Sequence, residues 1–569
     1  MSTQFDPIQL MDAVSAVQPD VTPVVEADPA MFGRAIAATA VGAAKHPVAT
    51  ASATFGLART LTRVGSEMLR GSLVGPGESP VPLDPKDKRF SDPTWAQNAA
   101  FGALRQAYVA ACDYTMKLLD IAELDPHTAG KAELGLSFLL DMLSPTNILG
   151  TNPAALKLAF ETGGRSVGAG LRNFVDDVRH NGGRPRQVDS SQFEVGANLA
   201  CTPSKVVYRN DLIEVLQYLP QTDEVSAVPL LCSPPWINKY YVMDLSPGRS
   251  LIEWAIKHGR TVFTISYRNP DESMASTTMD DYLVDGPLAA IEVVRDITGS
   301  NNVDLLGVCA GGALALIAAA YLNAVGDDIG GSITVINTIV DYTNVGALAS
   351  FTDEAALKKI EQKMARKGYL EGKEMAGTFD MLRANDLIFN YVVSNWLMGK
   401  NPPVFDILAW NADSTRMAAT MHSNYLRWLY LENRLVAGKL ELAGQLIDLG
   451  NMKRDVYIVS AINDHIVPWT TAYQTTRATG GECRFVLSSG GHIAGIVNPP
   501  TPKAWIKVAD TTPPTSDEWA AIAEQHSGSW WEDWAAWGNA HGGAVGKPPR
   551  LGSKKYPVLY EGPGEYVRI

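Results

Sequence analysis

Residues 303–312, Val-Asp-Leu-Leu-Gly-Val-Cys-Ala-Gly-Gly, constrain this chain more than any other stretch. An apolar run that reads as a buried strand leads into Gly-x-Cys-x-Gly, and an Ala-rich helical run follows at once. This is the pattern of a nucleophile elbow with cysteine as the nucleophile. The glycines have a physical task. The strained turn leaves no room for side chains at Gly307 and Gly311 beside the neighbouring backbone. The following helix aims its N-terminal dipole at Cys309, which favours a thiolate over a thiol. The backbone N–H of Ala310 is then one donor to an oxyanion.

The surrounding texture supplies the context that such a turn needs. From about residue 200, short β-branched runs alternate with helical stretches: Lys205–Tyr208, Leu212–Tyr218, Pro229–Cys232, Thr261–Tyr267, Val303–Val308, Ser332–Ile336, Val456–Ser460 and Arg484–Leu487. Several are continuously apolar, which suits parallel strands buried on both faces. Strand–helix alternation predicts an α/β fold, here of the α/β-hydrolase type, over residues 191–569. The rhythm breaks between about Asp341 and Leu435, where the chain reads as helical and rich in aromatics and Met: Phe379, Met381, Phe389, Tyr391, Trp396, Met398, Phe405, Trp410. An insertion there is expected to lie over the active site as a cap. Residues 1–190 read as a mostly helical domain, with helices expected over Trp95–Leu118 and Ala132–Leu143. The first 30 or so residues and Gly75–Asp87 read as loose connectors. Near the C-terminus, Trp530, Trp534 and Trp537 fall on one helical face, as expected of a helix docked by a Trp stripe.

A nucleophile needs a base and an acid, and in this fold both follow it in the order acid, then His. Asp464 follows the strand Val456–Ser460, and His492 follows Arg484–Leu487 in a glycine-rich turn. Both therefore sit beyond C-terminal strand ends, where α/β sheets place their sites. His465 is the rival base, but it adjoins Asp464, and adjacent side chains point apart. A second oxyanion donor is expected from the loop after the third strand, Ser233-Pro234-Pro235-Trp236-Ile237-Asn238, through the N–H of Trp236 or Ile237. Trp236, Asp244 and His465 are the candidate substrate contacts. Asp244 and Asp285 also read as capping or structural carboxylates.

Composition narrows the function classes. A net charge of −13 argues against nonspecific nucleic-acid binding, which needs clustered Lys and Arg. The five cysteines are scattered with no CxxC spacing, so neither a disulfide framework nor a zinc site is expected. The N-terminus lacks the pattern of a secretory signal. The apolar stretches Ala35–Ala44 and Ala310–Val325 fall short of the ~20 residues of a membrane span. A soluble cytoplasmic protein without metal or cofactor is the expectation.

At this point the residues resemble a known family, the polyhydroxyalkanoate synthases of the long class I and class II types. The resemblance runs from about residue 85 onward. It is carried by Arg89, Phe90, Asp92, Pro93 and Trp95, by Asn181-Gly182-Gly183, by Pro234-Pro235-Trp236-Ile237-Asn238-Lys239-Tyr240-Tyr241 and by Ser266-Tyr267-Arg268-Asn269-Pro270. The Cys309 box, Trp410-Asn411-Ala412-Asp413, Asp464-His465-Ile466 and Gly491-His492-Ile493 complete it. Tyr267 stands where many members have Trp. The resemblance implies polymerisation of (R)-3-hydroxyacyl-CoA with release of CoA, and a triad of Cys309, His492 and Asp464. It also implies a homodimer contacting through the cap, and attachment to polyester granules. Residues 152–210 look more like class II and Gly491–Gly495 more like class I, which leaves acyl-chain length open. A Cys-dependent thioesterase or polyester depolymerase would use the same triad with water as acceptor. A granule-coat protein with a decayed site is a further alternative, against which the intact Cys–Asp–His order speaks.

Overall fold

The computed structural model describes residues 29–75, 79–85 and 87–569. The connectors expected over the first 30 residues and across Gly75–Asp87 therefore lie largely or partly outside the described residues. The chain divides into two compact units. One comprises Met1–Asp189 with Ala376–Pro403, the other Ser190–Met375 with Val404–Ile569.

Within the first unit, helices span Pro47–Val74, Ala99–Ile121, Pro126–Met142 and Arg165–His180. Phe90 and Trp95 meet edge to face at 4.9 Å in its core. Arg89 ties the helices together, donating to Tyr108 Oη at 3.0 Å and to Asp141 at 2.9 Å. The segment Ala376–Pro403 is pinned here as well. Trp396 Nε1 donates to Asp177 at 2.8 Å, and Asn395 Nδ2 donates to the Arg186 carbonyl at 2.7 Å. The helical interval expected over 341–435 is thus divided between the units.

The second unit is built on an eleven-stranded sheet. In chain order the strands are Ser204–Arg209 (β1), Ile213–Tyr218 (β2), Leu230–Ser233 (β3), Val262–Tyr267 (β4), Val303–Val308 (β5), Gly330–Ile336 (β6), Val456–Ala461 (β7), Cys483–Ser488 (β8), Trp505–Val508 (β9), Glu524–Ser527 (β10) and Tyr560–Glu561 (β11). Their spatial order is β10-β9-β8-β7-β6-β5-β3-β4-β2-β1-β11. Pairing is parallel from β4 through β3, β5, β6 and β7 to β8. It is antiparallel at both margins. β5 and β7 are buried along their whole length, as continuous apolar runs require. This is the α/β-hydrolase fold.

The Ala-rich helix Ala310–Ala324 is buried on nearly all sides, which explains why its sequence lacks a polar face. Among the described residues no helix is long and apolar enough to cross a membrane. The helix Trp530–His541 docks through buried Trp530, Trp531 and Trp534. Its indole N–H groups donate to the carbonyls of Gly495 and Ile496 and to the Thr334 hydroxyl. Trp537 is only partly buried and packs on Tyr457 at 5.2 Å.

Candidate active site

The strand order creates the site. From β3 the chain crosses to β4 on one side, and from β5 it crosses to β6 on the other. The loops after β3 and β5 therefore diverge and open a crevice at their carboxyl ends. Cys309 follows β5, and Ser233–Tyr241 follows β3.

Cys309 has φ 52° and ψ −125°, a conformation that non-glycine residues rarely adopt. Its own N–H donates to the Ile336 carbonyl at 2.9 Å, which seats the turn against β6. Ala310 opens the next helix, so its N–H has no intrahelical acceptor. The flanking glycines are sterically required. A Cβ on Gly307 would stand 2.7 Å from the Gly311 carbonyl oxygen, and one on Gly311 would overlap the Pro234 carbonyl. Backbone on both sides cannot yield as a side chain would. Gly311→Ala is accordingly expected to lower stability by about 3 kcal/mol, read as a shifted urea midpoint at unchanged slope. A loss below about 1 kcal/mol would mean that the turn has slack.

His492 and Asp464 meet across the ends of β8 and β7. His492 Nδ1 lies 2.7 Å from Asp464 Oδ2, with both side chains buried (7 % and 0 % exposed). The other carboxylate oxygen accepts from the N–H groups of Ile466 and Val467 at 2.9 and 2.8 Å. Both oxygens are therefore occupied. Burial alone would depress the His492 pKa. The charge and hydrogen bond of Asp464, with a further contribution from the Cys309 thiol, outweigh it and raise the value to about 10. With Nδ1 engaged by Asp464, Nε2 is the ring nitrogen left for the thiol.

The remaining candidates separate. Asp464 turns to His492 rather than to the adjacent His465, which is partly buried. Asp244, read as a substrate contact or as a structural acid, sits in a buried cage of hydroxyls. It accepts from Thr202, from Ser250 at 2.8 Å and from Tyr218 at 3.3 Å. Burial raises its pKa despite these donors. That arrangement fits the structural reading of Asp244 better than a substrate contact. Ile237 and Trp236 lie on a loop held from behind, where the Thr415 hydroxyl donates to both of their carbonyls at 2.6 and 3.2 Å. Trp410 Nε1 donates to the Lys239 carbonyl at 2.8 Å, and Lys239 pairs with Asp413 at 3.0 Å. The Trp410–Asp413 motif thus acts as the backing of the loop after β3.

Trp236 is buried at the centre of an aromatic wall. It meets Tyr425 at 5.2 Å and Tyr282 at 6.0 Å, and Tyr430 joins Tyr425 to Tyr342 at 5.4 and 4.7 Å. Burial first raises the pKa of Tyr342, Tyr425 and Tyr430; neighbouring tyrosines add to this for Tyr342 and Tyr425, and Cys309 makes a smaller contribution to all three. No sequence motif marks these three tyrosines. Of the aromatic and Met residues of the expected cap, Phe379, Met381, Phe389, Tyr391, Trp396 and Met398 belong to the other unit. All five cysteines are free thiols.

Residues 86–255 match the family described as poly-beta-hydroxybutyrate polymerase (PhaC) N-terminus, and residues 226–499 match the alpha/beta hydrolase fold. The chain is 41 % identical over 504 residues to poly(3-hydroxyalkanoate) polymerase subunit PhaC of Cupriavidus necator, covering 87 % of this chain and 85 % of that protein. It is 41 % identical over 518 residues to poly(3-hydroxyalkanoate) polymerase of Methylorubrum extorquens, covering 90 % and 84 %. Poly(3-hydroxyalkanoate) polymerase 1 of Ectopseudomonas oleovorans is 38 % identical over 494 residues, covering 86 % and 88 %.

Proposed function

The chain belongs to the poly(3-hydroxyalkanoate) polymerase family, and we propose that it builds polyester from (R)-3-hydroxyacyl-CoA through an acyl group held on Cys309. The chain is an acyltransferase, and its leaving group is CoA. The observation that carries the proposed mechanism is the His492–Asp464 pair at 2.7 Å beside a cysteine held at positive φ.

The steps follow from the groups present. The Cys309 thiolate attacks the thioester carbonyl carbon, and the oxyanion is met by the N–H of Ala310 and an amide of the loop after β3, at Ile237 or Trp236. The bond to the CoA sulfur breaks, and His492 returns its proton to the departing thiolate. Exchange of one thioester for another is close to neutral in energy, so the acyl group can wait on Cys309. The 3-hydroxyl of a second unit then attacks that thioester, gives its proton to His492 and forms the ester, releasing the Cys309 thiolate. Asp464 orients His492. Its two oxygens are already committed to the Ile466 and Val467 amides and to Nδ1, which supports this role over direct deprotonation of the hydroxyl. Trp236 with Tyr342, Tyr425 and Tyr430 forms the wall that receives the acyl unit and excludes water. A homodimer and attachment to polyester granules complete the reading.

The test is incubation of the purified protein with (R)-3-hydroxybutyryl-CoA and with a longer (R)-3-hydroxyacyl-CoA, following free thiol and insoluble polyester together. Thiol release with polymer is the expected result, and the ratio of rates assigns the chain-length class. Thiol release with only free hydroxy acid would make the protein a thioesterase.

A further inference from the structure

Three residues at the end of β6 touch the Cys309 turn, the end of β7 and the His492 turn. The Ile336 carbonyl accepts the Cys309 N–H at 2.9 Å. The Thr338 hydroxyl donates to the Cys309 carbonyl at 3.2 Å. Between them lies Asn337, fully buried and at φ 48°. Its Nδ2 donates to the backbone carbonyl of His492 at 2.6 Å, and its Oδ1 accepts the N–H of Ala461 at 3.1 Å. Ala461 ends β7, and its carbonyl in turn accepts the N–H of Asp464 at 3.1 Å.

We propose that Asn337 is a positioning residue, one that fixes the backbone of His492 relative to the Asp464 turn and so sets the imidazole against Cys309. The inference rests on the triad reading above and goes beyond it, because the acid–base hydrogen bond and the Asn463 N–H donation to the Gly490 carbonyl at 3.0 Å do not hold the His492 carbonyl, which Asn337 does. Only a side chain with a donor and an acceptor at its two ends serves both partners at once, and the amide of Asn does so. Asn is also among the few non-glycine residues that tolerate positive φ. Gly495 lets the His492 turn approach, since a Cβ there would stand 2.7 Å from Ala461 Cβ and 3.2 Å from Asn337 Nδ2. Trp530 Nε1 holds the far side of the same turn, donating to the Gly495 carbonyl at 2.7 Å. His492 is thus clamped between the end of β6 and the Trp helix.

Asn337→Gly is the informative variant, because glycine accepts the backbone conformation while the clamp is lost. Asn337→Ala is its companion. For both, kcat for CoA release from (R)-3-hydroxybutyryl-CoA is expected to fall on the order of tenfold to hundredfold, with KM within about twofold of the parent. Alkylation of Cys309 by iodoacetamide at neutral pH should slow in parallel, since a displaced imidazolium no longer supports the thiolate. A folded Asn337→Gly protein with kcat within about twofold of the parent would overturn the inference. So would a kcat loss with unchanged alkylation, or failure of both variants to fold, either of which assigns Asn337 to the fold alone. Cys309→Ala is run beside them: if it retains activity, the triad reading itself falls, whereas an inactive Cys309→Ala with an indifferent Asn337 sinks only this proposal.

Discussion

Cys309→Ala is expected to lose CoA release and polymer formation together, by a factor on the order of 10⁴ or more, while its unfolding midpoint stays within about 1 kcal/mol of the parent. The separation of activity from stability is the informative part. Cys309 is a small side chain on a turn whose geometry is set by Gly307, Gly311 and the Ile336 carbonyl, and none of these depends on the sulfur. Cys309→Ser keeps the geometry and an oxygen nucleophile, yet it should remain below about one hundredth of parental activity, because a hydroxyl is a weak nucleophile at neutral pH without full deprotonation. If the Ser variant worked nearly as well as the parent, the thiolate would have no special part. If the Ala variant did, the acyl group would be held elsewhere.

Asp464→Asn carries the second large effect. The oxygen facing the Ile466 and Val467 amides must remain an acceptor, so the new NH₂ group takes the place of Oδ2 and faces His492 Nδ1. Nδ1 then has to accept, which moves the ring proton to Nε2 and leaves no lone pair toward the thiol or the incoming hydroxyl. A loss in kcat on the order of 10²- to 10⁴-fold is expected, since an Asp→Asn change that fixes the wrong tautomer has effects of that size in hydrolytic triads. The same variant has a pH signature. Asp464 helps raise the His492 pKa to about 10 in the folded chain, against an ordinary value of about 6.5. The group therefore stabilises the fold fully below pH ~6.5, and this contribution is lost as pH climbs toward ~10. Urea midpoints of the parent should fall across that window. In Asp464→Asn burial dominates His492, and the corresponding decline should be flatter. Parallel curves for the two proteins would contradict the pairing.

The parts of the fold that the sequence exposes are those set by local chemistry. The elbow is written in residues 307–311, where Gly307 answers to the backbone of Gly311 and Gly312 in the same turn and Gly311 to the Pro234 carbonyl in the loop after β3. Strands β1 to β8 stand out as apolar or β-branched runs because the central sheet is covered on both faces. Strands β9 to β11 do not. Glu524–Ser527 is exposed along its length and pairs only as an edge, so neither burial nor alternation marks it. Asp464 and His492 are found by the rhythm of strand and loop, and the structure brings their side chains together. The aromatic wall escapes because Tyr342, Tyr425 and Tyr430 come from the two ends of a long helical interval. The central part of that interval packs with the other unit. Hydropathy reports that an aromatic residue is buried, not which core receives it. Asn337 is invisible for a related reason. Its place depends on a positive φ and on two backbone partners, Ala461 and His492, that lie more than a hundred residues away in the chain.

The most direct test of the covalent route is mass spectrometry of the protein quenched shortly after mixing with (R)-3-hydroxybutyryl-CoA, followed by proteolysis and mapping of the acylated peptide. The account predicts a 3-hydroxyacyl thioester on the peptide that carries Cys309, absent from Cys309→Ala. Turnover with the adduct on any other residue, or polymer growth with Cys309 never acylated, would contradict it.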